Sequence, residues 1–281
     1  MRSGLLVAVC AAALAAGCGS EHTATTVRPD SAVRTIAADE LSAQGALRAC
    51  ADLASPPFAF TRKGRETGFE VELLRRMASL LGTRLVWIPT ARADFAASLS
   101  AQKCDVIVSR LGYDLDTQFR LDVGALQYLA LPLVLELPAG SATAAVGMTD
   151  LCGRRLAVVA WTAPAFDAVE QDQACRREGE PRLRLVEAPS SDAALRLVRS
   201  GRAEAVLDDA VSAAAVLAHQ PDFDIADVSG RKGYIAIGYR ARRLSTEAAL
   251  HAALLMLYDR GVVRKLVARW HLEDATLLPL P

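Results

Sequence analysis

The sequence has few aromatic residues, few histidines and no excess charge of either sign. Aromatic residues make up 5% of the 281 positions, histidines number 4, and 32 Lys and Arg balance 32 Asp and Glu. Because no polybasic block alternates with aromatic residues, nucleic acid is not expected as a partner. The sequence contains no Cys-x-x-Cys pair and no His-Cys cluster, so neither a metal site nor a cofactor is expected.

The sequence also lacks an apolar run long enough to span a membrane. A spanning helix needs about 20 apolar residues, whereas the apolar stretch after Arg2 covers only residues 5–16. This layout predicts a secretory signal over residues 1–17. Residues 14–18 (LAAGC) resemble the lipobox of bacterial lipoproteins, which implies acylation of Cys18; a plain signal peptide is the alternative. Residues 18–44 are predicted to be a flexible tether.

Cysteine usage agrees with an exported protein. Of the six cysteines, Cys10 would leave with the signal and Cys18 would carry lipid. The four that remain are Cys50, Cys104, Cys152 and Cys175. An even remainder in an oxidising compartment predicts two disulfides, but the count does not pair them.

Beyond residue 45, short apolar strands alternate with amphipathic helices. Strands are predicted near residues 47–51, 85–88 and 105–108, and a second series near 156–159, 183–186 and 205–207. Helices are predicted between them, for example over residues 69–81. The pattern favours an α/β class with a mostly parallel sheet, arranged as two units.

Six segments in order carry a specific resemblance. They are residues 47–58 (LRACADLASPPF), 68–73 (GFEVEL), 103–109 (KCDVIVS), 151–158 (LCGRRLAV), 200–209 (SGRAEAVLDD) and 260–270 (RGVVRKLVARW). Together they resemble the bacterial extracellular solute-binding proteins of family 3, whose commonest ligands are amino acids. The resemblance implies a monomer without catalytic activity, which binds a small solute and passes it to an ABC permease in the membrane.

The resemblance also implies a fold, the two-lobed α/β fold of type II periplasmic binding proteins with a two-strand hinge. Lobe 1 would comprise residues 45–132 and 238–281, and lobe 2 with the hinge strands residues 133–237. The hinge is expected near residues 131–137 and 234–239. Ligand bound in the cleft is expected to close the lobes about it.

Candidate ligand-binding residues follow from matched positions at the ends of predicted strands. They are Asp52, Phe58, Arg92, Ser109, Arg110, Thr162 and Asp209. The resemblance places Asp209 at the ammonium-binding position, with Asp208 beside it as the alternative. Thr162 would bind a carboxylate through its hydroxyl and the helix-start amides. Simple helix capping is the alternative role for Asp209 and Thr162.

Two of these candidates depart from the family pattern. Arg92 stands where relatives place an aromatic residue, and Arg110 where they place glycine. The family's carboxylate-clamping arginine would fall on Thr117, so Arg110 and Arg120 are candidate substitutes.

The two arginines bear on the charge of the ligand. If both reach the cleft, they predict a ligand with at least one carboxylate, which a guanidinium binds in a bidentate fashion. In the alternative, Arg92 points to solvent from the cleft rim and Arg110 pairs with Asp114 or Asp116.

The resemblance pairs two of the four remaining cysteines. The DLCG pattern is similar to a subset of the family with a bridged second lobe, which implies a disulfide between Cys152 and Cys175. Cys50 and Cys104 are left open. They pair if their strands, which are expected to be neighbours, bring them close enough. If an offset along these strands separates them, they remain as two buried thiols.

Two other functions use related sequences. The segments CAD at residues 50–52 and CD at 104–105 also resemble solute-binding-like accessories of quinoprotein dehydrogenases, within lobe 1 alone. The same fold supports a periplasmic dehydratase for prephenate-like acids, which needs a carboxylic general acid in the cleft. The sequence shows no Ser-His-Asp or Cys-His arrangement, so enzymatic activity is not expected.

Overall fold

A computed structural model describes residues 35–112, 122–141 and 147–279 of the chain. The predicted signal, Cys18 and residues 18–34 of the predicted tether lie outside these residues. The same is true of Asp114, Asp116, Thr117 and Arg120. Within the described ranges, no helix is both long and apolar enough to cross a membrane.

Lobe 1 is an α/β unit around parallel strands. Its elements are β1 (Ala46–Ala51), β2 (Ala54–Ser55), β3 (Ala59–Arg62), β4 (Arg65–Thr67), α1 (Phe69–Leu80), β5 (Arg84–Pro89), α2 (Phe95–Ser100) and β6 (Val106–Leu111). Strand β1 lies between β5 and β6 and is parallel to both. It is almost wholly buried, which explains why it reads as a continuous apolar run.

Lobe 2 repeats this architecture. Its elements are β8 (Arg155–Val159), α3 (Ala163–Arg177), β9 (Arg184–Ala188), α4 (Ser191–Arg199), β10 (Ala205–Asp209) and α5 (Ala210–Leu217). Strand β8 pairs in parallel with β9 and β10. The chain then returns to lobe 1 and ends with α6 (Leu244–Asp259), α7 (Val262–Arg269) and β12 (Thr276–Leu277). The α/β class and the two-lobed arrangement predicted from the sequence are confirmed.

Two long antiparallel strands, β7 (Val123–Pro138) and β11 (Phe223–Arg240), run through both lobes. They join the lobes into one sheet of order β5-β1-β6-β11-β7-β10-β8-β9. Their pairing is interrupted between Asp227 and Lys232, opposite Leu133. The sheet therefore changes lobe at this irregularity, just before the predicted hinge segment 234–239.

The apolar core of lobe 1 includes residues from both ends of the described chain. Leu73 and Leu74 of α1 pack with Leu250 and Leu254 of α6 in one buried cluster. Ile36 joins this cluster, although residues 35–44 were assigned to the tether from their composition. The Glu40 carboxylate accepts the Thr246 backbone N–H at 2.8 Å. Ile36 and Glu40, within the predicted tether 18–44, therefore pack against lobe 1, and residues 18–34 lie outside the described residues.

The four described cysteines form two disulfides. Cys152 bonds Cys175 with their Cα atoms 5.7 Å apart, as the resemblance implied, and this bond joins the start of lobe 2 to α3. Cys50 bonds Cys104, also with a Cα separation of 5.7 Å. Cys104 lies before the first residue of β6, so the register between β1 and β6 does not fix the position of Cys104. The offset along the strands that the sequence predicted therefore does not separate Cys50 from Cys104.

Candidate functional site

The candidate site lies where the carboxyl ends of parallel strands from both lobes meet. In lobe 1, Asp52 follows β1, Ser109 to Leu111 end β6 and Gly112 follows it. In lobe 2, Thr162 lies after β8 and Asp209 ends β10. Loops at these strand ends are where open α/β sheets bind ligands. We call this layer the interlobe seam. Its members are Asp52, Arg92, Ser109, Arg110, Leu111 and Gly112 of lobe 1, and Trp161, Thr162, Ala163, Asp208 and Asp209 of lobe 2.

The centre of the interlobe seam is an ion cluster between Arg110 and two aspartates. Arg110 Nη1 donates to Asp208 Oδ1 and to Asp209 Oδ2, with both N···O distances at 2.5 Å. Burial lowers the pKa of Arg110, but the two carboxylates outweigh it and hold this pKa above its ordinary value. Burial raises the pKa of Asp209, against the opposing charge of Arg110. Arg110 therefore stays protonated and joins the lobes electrostatically.

Both aspartates are also fixed by neighbours within lobe 2. The other oxygen of Asp208, Oδ2, accepts the Ser191 hydroxyl at 2.8 Å. Asp209 Oδ1 caps α5 by accepting the Ser212 backbone N–H at 2.8 Å. Asp208 Oδ1 also accepts the Asp209 backbone N–H at 2.8 Å, so both carboxylates are held within lobe 2 while one oxygen of each binds Arg110. Asp209 therefore caps α5 and contacts a cation at the same time, two roles that the sequence already made compatible.

The backbone at Ser109 and Arg110 is left-handed, with φ angles of 104° and 55°. Such a conformation costs a residue other than glycine on the order of 1–3 kcal/mol. Glu70 of α1 holds it in place, since Glu70 Oε2 accepts the backbone N–H groups of Ser109 at 3.0 Å and Arg110 at 2.8 Å. Its Oε1 accepts the Tyr128 hydroxyl at 2.9 Å. This turn directs the Arg110 side chain across the interlobe seam.

A second ion pair lies on the lobe 1 side of the interlobe seam. Arg92 Nε donates to Asp52 Oδ2 at 2.9 Å, and its Nη2 donates to the Ser55 hydroxyl at 2.6 Å. Arg92 Nη1 is buried and has no partner among the described residues. Burial and the charge of Arg110 lower the pKa of Arg92 to about 10, although Asp52 raises it. One guanidinium donor is therefore free for an anionic group.

The two lobes contact each other directly along the interlobe seam. Leu111 forms a β-bridge with Thr162, and the Gly112 N–H donates to the Trp161 carbonyl at 2.9 Å. A β-carbon on Gly112 would overlap the backbone nitrogen of Ala163, so only glycine permits this approach. The structure thus shows the closed arrangement of the lobes.

In this arrangement the side chains of the interlobe seam are covered by one another. Ser109, Arg110, Thr162 and Asp209 each expose at most 2% of their surface. Residues around a ligand-sized void would keep accessible surface on the side of that void. The space beside Asp208 and Asp209 is therefore filled by the side chain of Arg110. A cavity of about 300 Å³ lies beside the seam, lined by Phe166, Asp167, Arg231 and Tyr234 among others.

A third buried carboxylate, Glu136 of β7, lies close to this ion cluster. Neither of its oxygens has a hydrogen-bond partner among the described residues. Burial and the charge of Asp208 raise the pKa of Glu136 to about 9, although Arg110 lowers it. Glu136 is therefore protonated near neutral pH. It has no exposed surface in this closed arrangement.

The structure brings most of the predicted site residues together. Asp209 meets Arg110, and Asp52 meets Arg92. Ser109 Oγ donates to the Asp52 carbonyl at 3.0 Å. The alternative in which Arg92 points to solvent is wrong, because Arg92 is 4% exposed and enclosed by Asp52 and Ser55. Arg110 pairs with Asp208 and Asp209, and its suggested partners Asp114 and Asp116 lie outside the described residues.

Two predicted residues have other immediate contacts. Phe58 is fully buried in the lobe 1 core, with its ring edge-to-face against Phe69 at a centroid distance of 6.3 Å. The Thr162 hydroxyl donates to the Val159 carbonyl at 2.6 Å and does not cap α3, which begins at the next residue.

Sequence reasoning missed Glu70 and Glu136, although each carried a signal. Glu136 interrupts the apolar run of residues 131–137, and an acid inside a buried strand needs an explanation. Glu70 lies between Phe69 and Val71 at the start of a helix, where acids normally favour the helix dipole. Nothing in that pattern indicated that Glu70 would bind the β6 backbone, a contact 40 residues away in the chain.

The fold and the site together define a class of protein. Two α/β lobes joined by two crossing strands, with polar strand ends meeting between them, form the type II periplasmic binding protein fold. The chain belongs to the bacterial extracellular solute-binding proteins, family 3, whose family model matches residues 47–273. Comparison with curated proteins gives no significant match.

Solved structures similar to this chain include amino-acid-binding proteins. A variant of ArgBP from T. maritima is 24% identical, with a TM-score of 0.68, and the match covers 81% of this chain and 95% of that one. The amino acid ABC transporter substrate-binding protein AbpA from Streptococcus pneumoniae, bound to L-arginine, is 18% identical over 80% and 94%, with a TM-score of 0.67.

An ancestral amino acid-binding protein, described as a precursor of cyclohexadienyl dehydratase, is also similar. It is 21% identical, with a TM-score of 0.66, and the match covers 80% of this chain and 95% of that one. Identities at this level establish the shared fold.

Proposed function

We propose that this protein is an extracytoplasmic solute-binding lipoprotein that captures a small polar solute between its lobes and delivers it to an ABC importer. The solute is an amino acid or another carboxylate. The observation that carries this proposal is the meeting of charged strand ends from both lobes at one seam. Membership of family 3 supports the same function.

The charges of the interlobe seam suit a ligand with opposite ends. Asp208 and Asp209 of lobe 2 form an anionic position that accepts a guanidinium or ammonium group. Arg92 of lobe 1 keeps one buried donor, Nη1, without a protein partner, and a carboxylate would satisfy it. An amino acid carries both groups, so it could join the two lobes as Arg110 now does.

Anchoring and partners follow from the proposed delivery role. Cys18 would be acylated after removal of residues 1–17, and residues 18–34 would tether the monomer near an ABC permease. Several acyl chains hold firmly, since each buried methylene contributes roughly 0.8 kcal/mol. Cys18→Ser is expected to move the protein from the membrane fraction to the soluble fraction, as fractionation and immunoblotting would report. Unchanged membrane attachment would contradict lipid anchoring.

A thermal-shift screen against amino acids and small organic acids tests the binding function. A ligand at about 100 times its dissociation constant adds about 2.7 kcal/mol, which raises Tm measurably. Calorimetry on a hit should then show at least about tenfold weaker binding for Asp209→Asn and for Arg92→Ala, with Arg182→Ala, a surface arginine of lobe 2, as the control. Affinities within about threefold of wild type for both seam variants would refute the proposed site.

The second candidate is an accessory of a periplasmic quinoprotein dehydrogenase. The bond between Cys50 and Cys104 favours it, because these cysteines carry the lobe 1 resemblance to such accessories. Permease and ATPase genes beside this gene would support import, and a quinoprotein dehydrogenase gene would support the accessory role. A dehydratase is the remaining alternative, and incubation with prephenate is expected to give no product.

A further inference from the structure

Arg110 occupies the anionic position of lobe 2, where the cationic group of a free solute would bind. We propose that Arg110 is a tethered internal ligand, whose guanidinium fills this position and holds the lobes closed until a solute or partner displaces it. This inference rests on the proposed function in one respect, since the position that Arg110 fills is the proposed binding site of the solute. It adds a self-occupied state with which any solute must compete.

The contacts of Arg110 are those of a bound ligand. Its guanidinium comes from lobe 1 and ends on two carboxylates of lobe 2, both of which are buried and held by lobe 2 groups. At 2% exposure it is almost completely enclosed. Arg110 Nε has no partner among the described residues. Nη1 makes both contacts with the aspartates.

The local backbone is built to present this side chain. Two consecutive left-handed residues, Ser109 and Arg110, turn the end of β6 toward lobe 2. The buried Glu70 carboxylate receives the N–H of both. A surface arginine that meets an acid by chance needs no such support. The strained turn and its buried acceptor indicate that the direction of Arg110 is set by lobe 1 before the lobes meet.

The two lobes also contact each other on either side of Arg110. On one side Leu111 and Gly112 bond the backbone at Trp161 and Thr162. Phe95 of lobe 1 meets the Trp161 ring edge-on at 6.3 Å between centroids. Val211 of α5 is buried in the lobe 1 core cluster. Polar and apolar contacts therefore act together with the ion cluster to favour the closed form.

A tethered guanidinium competes strongly with a free one. Groups on short tethers have effective concentrations of roughly millimolar or more, and a solute can bind only the fraction of molecules in which Arg110 has left the aspartates. Apparent affinity in the wild-type protein is lowered by that fraction. Removal of Arg110 should therefore open the lobes and create a vacant cation site in lobe 2.

Small-angle scattering tests the closure. Wild-type protein that has been unfolded, dialysed and refolded, so that no solute is carried over, should give the radius of gyration calculated from the closed structure. Arg110→Ala should give a larger radius, and Arg182→Ala, which removes a surface arginine paired with Asp172, should match wild type. An expanded wild type, or an Arg110→Ala variant as compact as wild type, would overturn the proposal.

Chemical rescue tests the ligand role with ethylguanidinium, which replaces the atoms removed in Arg110→Ala. At about 100 times its dissociation constant, ethylguanidinium should raise the Tm of Arg110→Ala by about 5 °C or more relative to equal sodium chloride. It should leave wild type and Arg182→Ala unchanged. Equal shifts in all three proteins, or no shift in Arg110→Ala, would refute a guanidinium site at the aspartates.

Removal of Arg110 alone leaves buried carboxylates without a counterion and could prevent folding. In that event the scattering test uses the triple variant Arg110→Ala/Asp208→Asn/Asp209→Asn, which also removes the aspartate charges. It should be expanded, and a compact form would overturn the proposal. Neither test needs an amino acid ligand. If both tests succeed but a solute screen repeated on Arg110→Ala gives no hit, the proposed function fails and this inference stands.

Discussion

At the scale of single residues, the arrangement of buried charges controls the interlobe seam. One guanidinium, that of Arg110, lies between Asp208 and Asp209, with the protonated Glu136 nearby. A buried ion pair contributes little net stability, but removal of one partner costs several kcal/mol because the other is left uncompensated. Substitutions here should therefore act through the charge that remains.

Glu136 should make stability depend on pH. Its pKa rises from an ordinary value of 4.5 in the unfolded chain to about 9 in the folded protein. Between these values the unfolded chain has lost a proton that the folded protein keeps. The stabilisation is therefore complete below pH 4.5 and declines as pH rises toward about 9. Glu136→Gln, which mimics the neutral acid, should raise Tm at pH 8 and change it little at pH 4.5.

Calorimetric scans of Glu136→Gln at both pH values check this expectation. Glu187→Gln on the exposed side of β9 is the matched control, and it should behave as wild type at both. A Tm difference for Glu136→Gln that is the same at pH 4.5 and pH 8 would contradict a buried neutral carboxyl group.

Glu70 should stabilise lobe 1 through its contacts with Ser109 and Arg110. Burial raises the pKa of Glu70, against its hydrogen bonds to Arg110, Tyr128 and Ser109. Glu70→Gln replaces this acceptor of three hydrogen bonds by an amide and should cost about 1–3 kcal/mol of unfolding free energy. Denaturant titration measures it, with Glu72→Gln on the same helix as the control. If the two variants lose equal stability, the buried carboxylate has no special role in the β6 turn.

At the scale of elements, the two disulfides fasten each lobe separately. Cys50–Cys104 links β1 to the segment before β6 in lobe 1, and Cys152–Cys175 links the start of lobe 2 to α3. Neither bond crosses the interlobe seam, so neither restricts movement of one lobe against the other. Loss of a disulfide is therefore expected to affect the stability of one lobe without changing closure.

The double variant Cys152→Ala/Cys175→Ala should lose about 3 kcal/mol, because its chain separation is 23 residues. Cys50→Ala/Cys104→Ala, with a separation of 54, should lose about 4 kcal/mol. Denaturant unfolding of each variant measures the loss, and scattering should show wild-type compactness for both. Mass spectrometry that detects free thiols in the unreduced mature protein would contradict the pairing.

At the scale of the whole molecule, β7 and β11 make one continuous sheet through both lobes. The pairing of β7 with β11 is irregular at two places, between Asp227 and Lys232 and between Ile235 and Ala236, and we expect the hinge there. A solute that replaces Arg110 would bind both lobes and favour the closed form by its differential affinity. Ligand-driven closure should therefore be visible only when the open form is populated.

Hinge closure is accordingly expected in Arg110→Ala and not in wild type. Scattering of Arg110→Ala with a ligand found by the thermal-shift screen should show compaction to the wild-type radius. Wild type should stay unchanged with the same ligand. Verified binding to Arg110→Ala without compaction would show that closure does not depend on the cleft ligand.

Much of the architecture could be predicted from local patterns. Buried strands such as β1 and helices such as α1 have apolar periodicities that depend on neighbouring residues alone, and six ordered segments indicated the family. The order of strand ends then placed Asp52, Ser109, Thr162 and Asp209 near one another, since parallel strands bring their carboxyl ends to one edge. The disulfide of lobe 2 followed from the resemblance in the same way.

Tertiary structure alone decided the partners of the charges. The sequence by itself determined that two arginines and several acids would lie near the strand ends, and that four cysteines would remain after export. It did not pair Arg110 with aspartates 98 and 99 residues away, or Glu70 with the β6 backbone. Burial sets which charges must be neutralised, and burial depends on how distant segments pack. The closed seam with its own arginine inside is therefore a property of the folded chain.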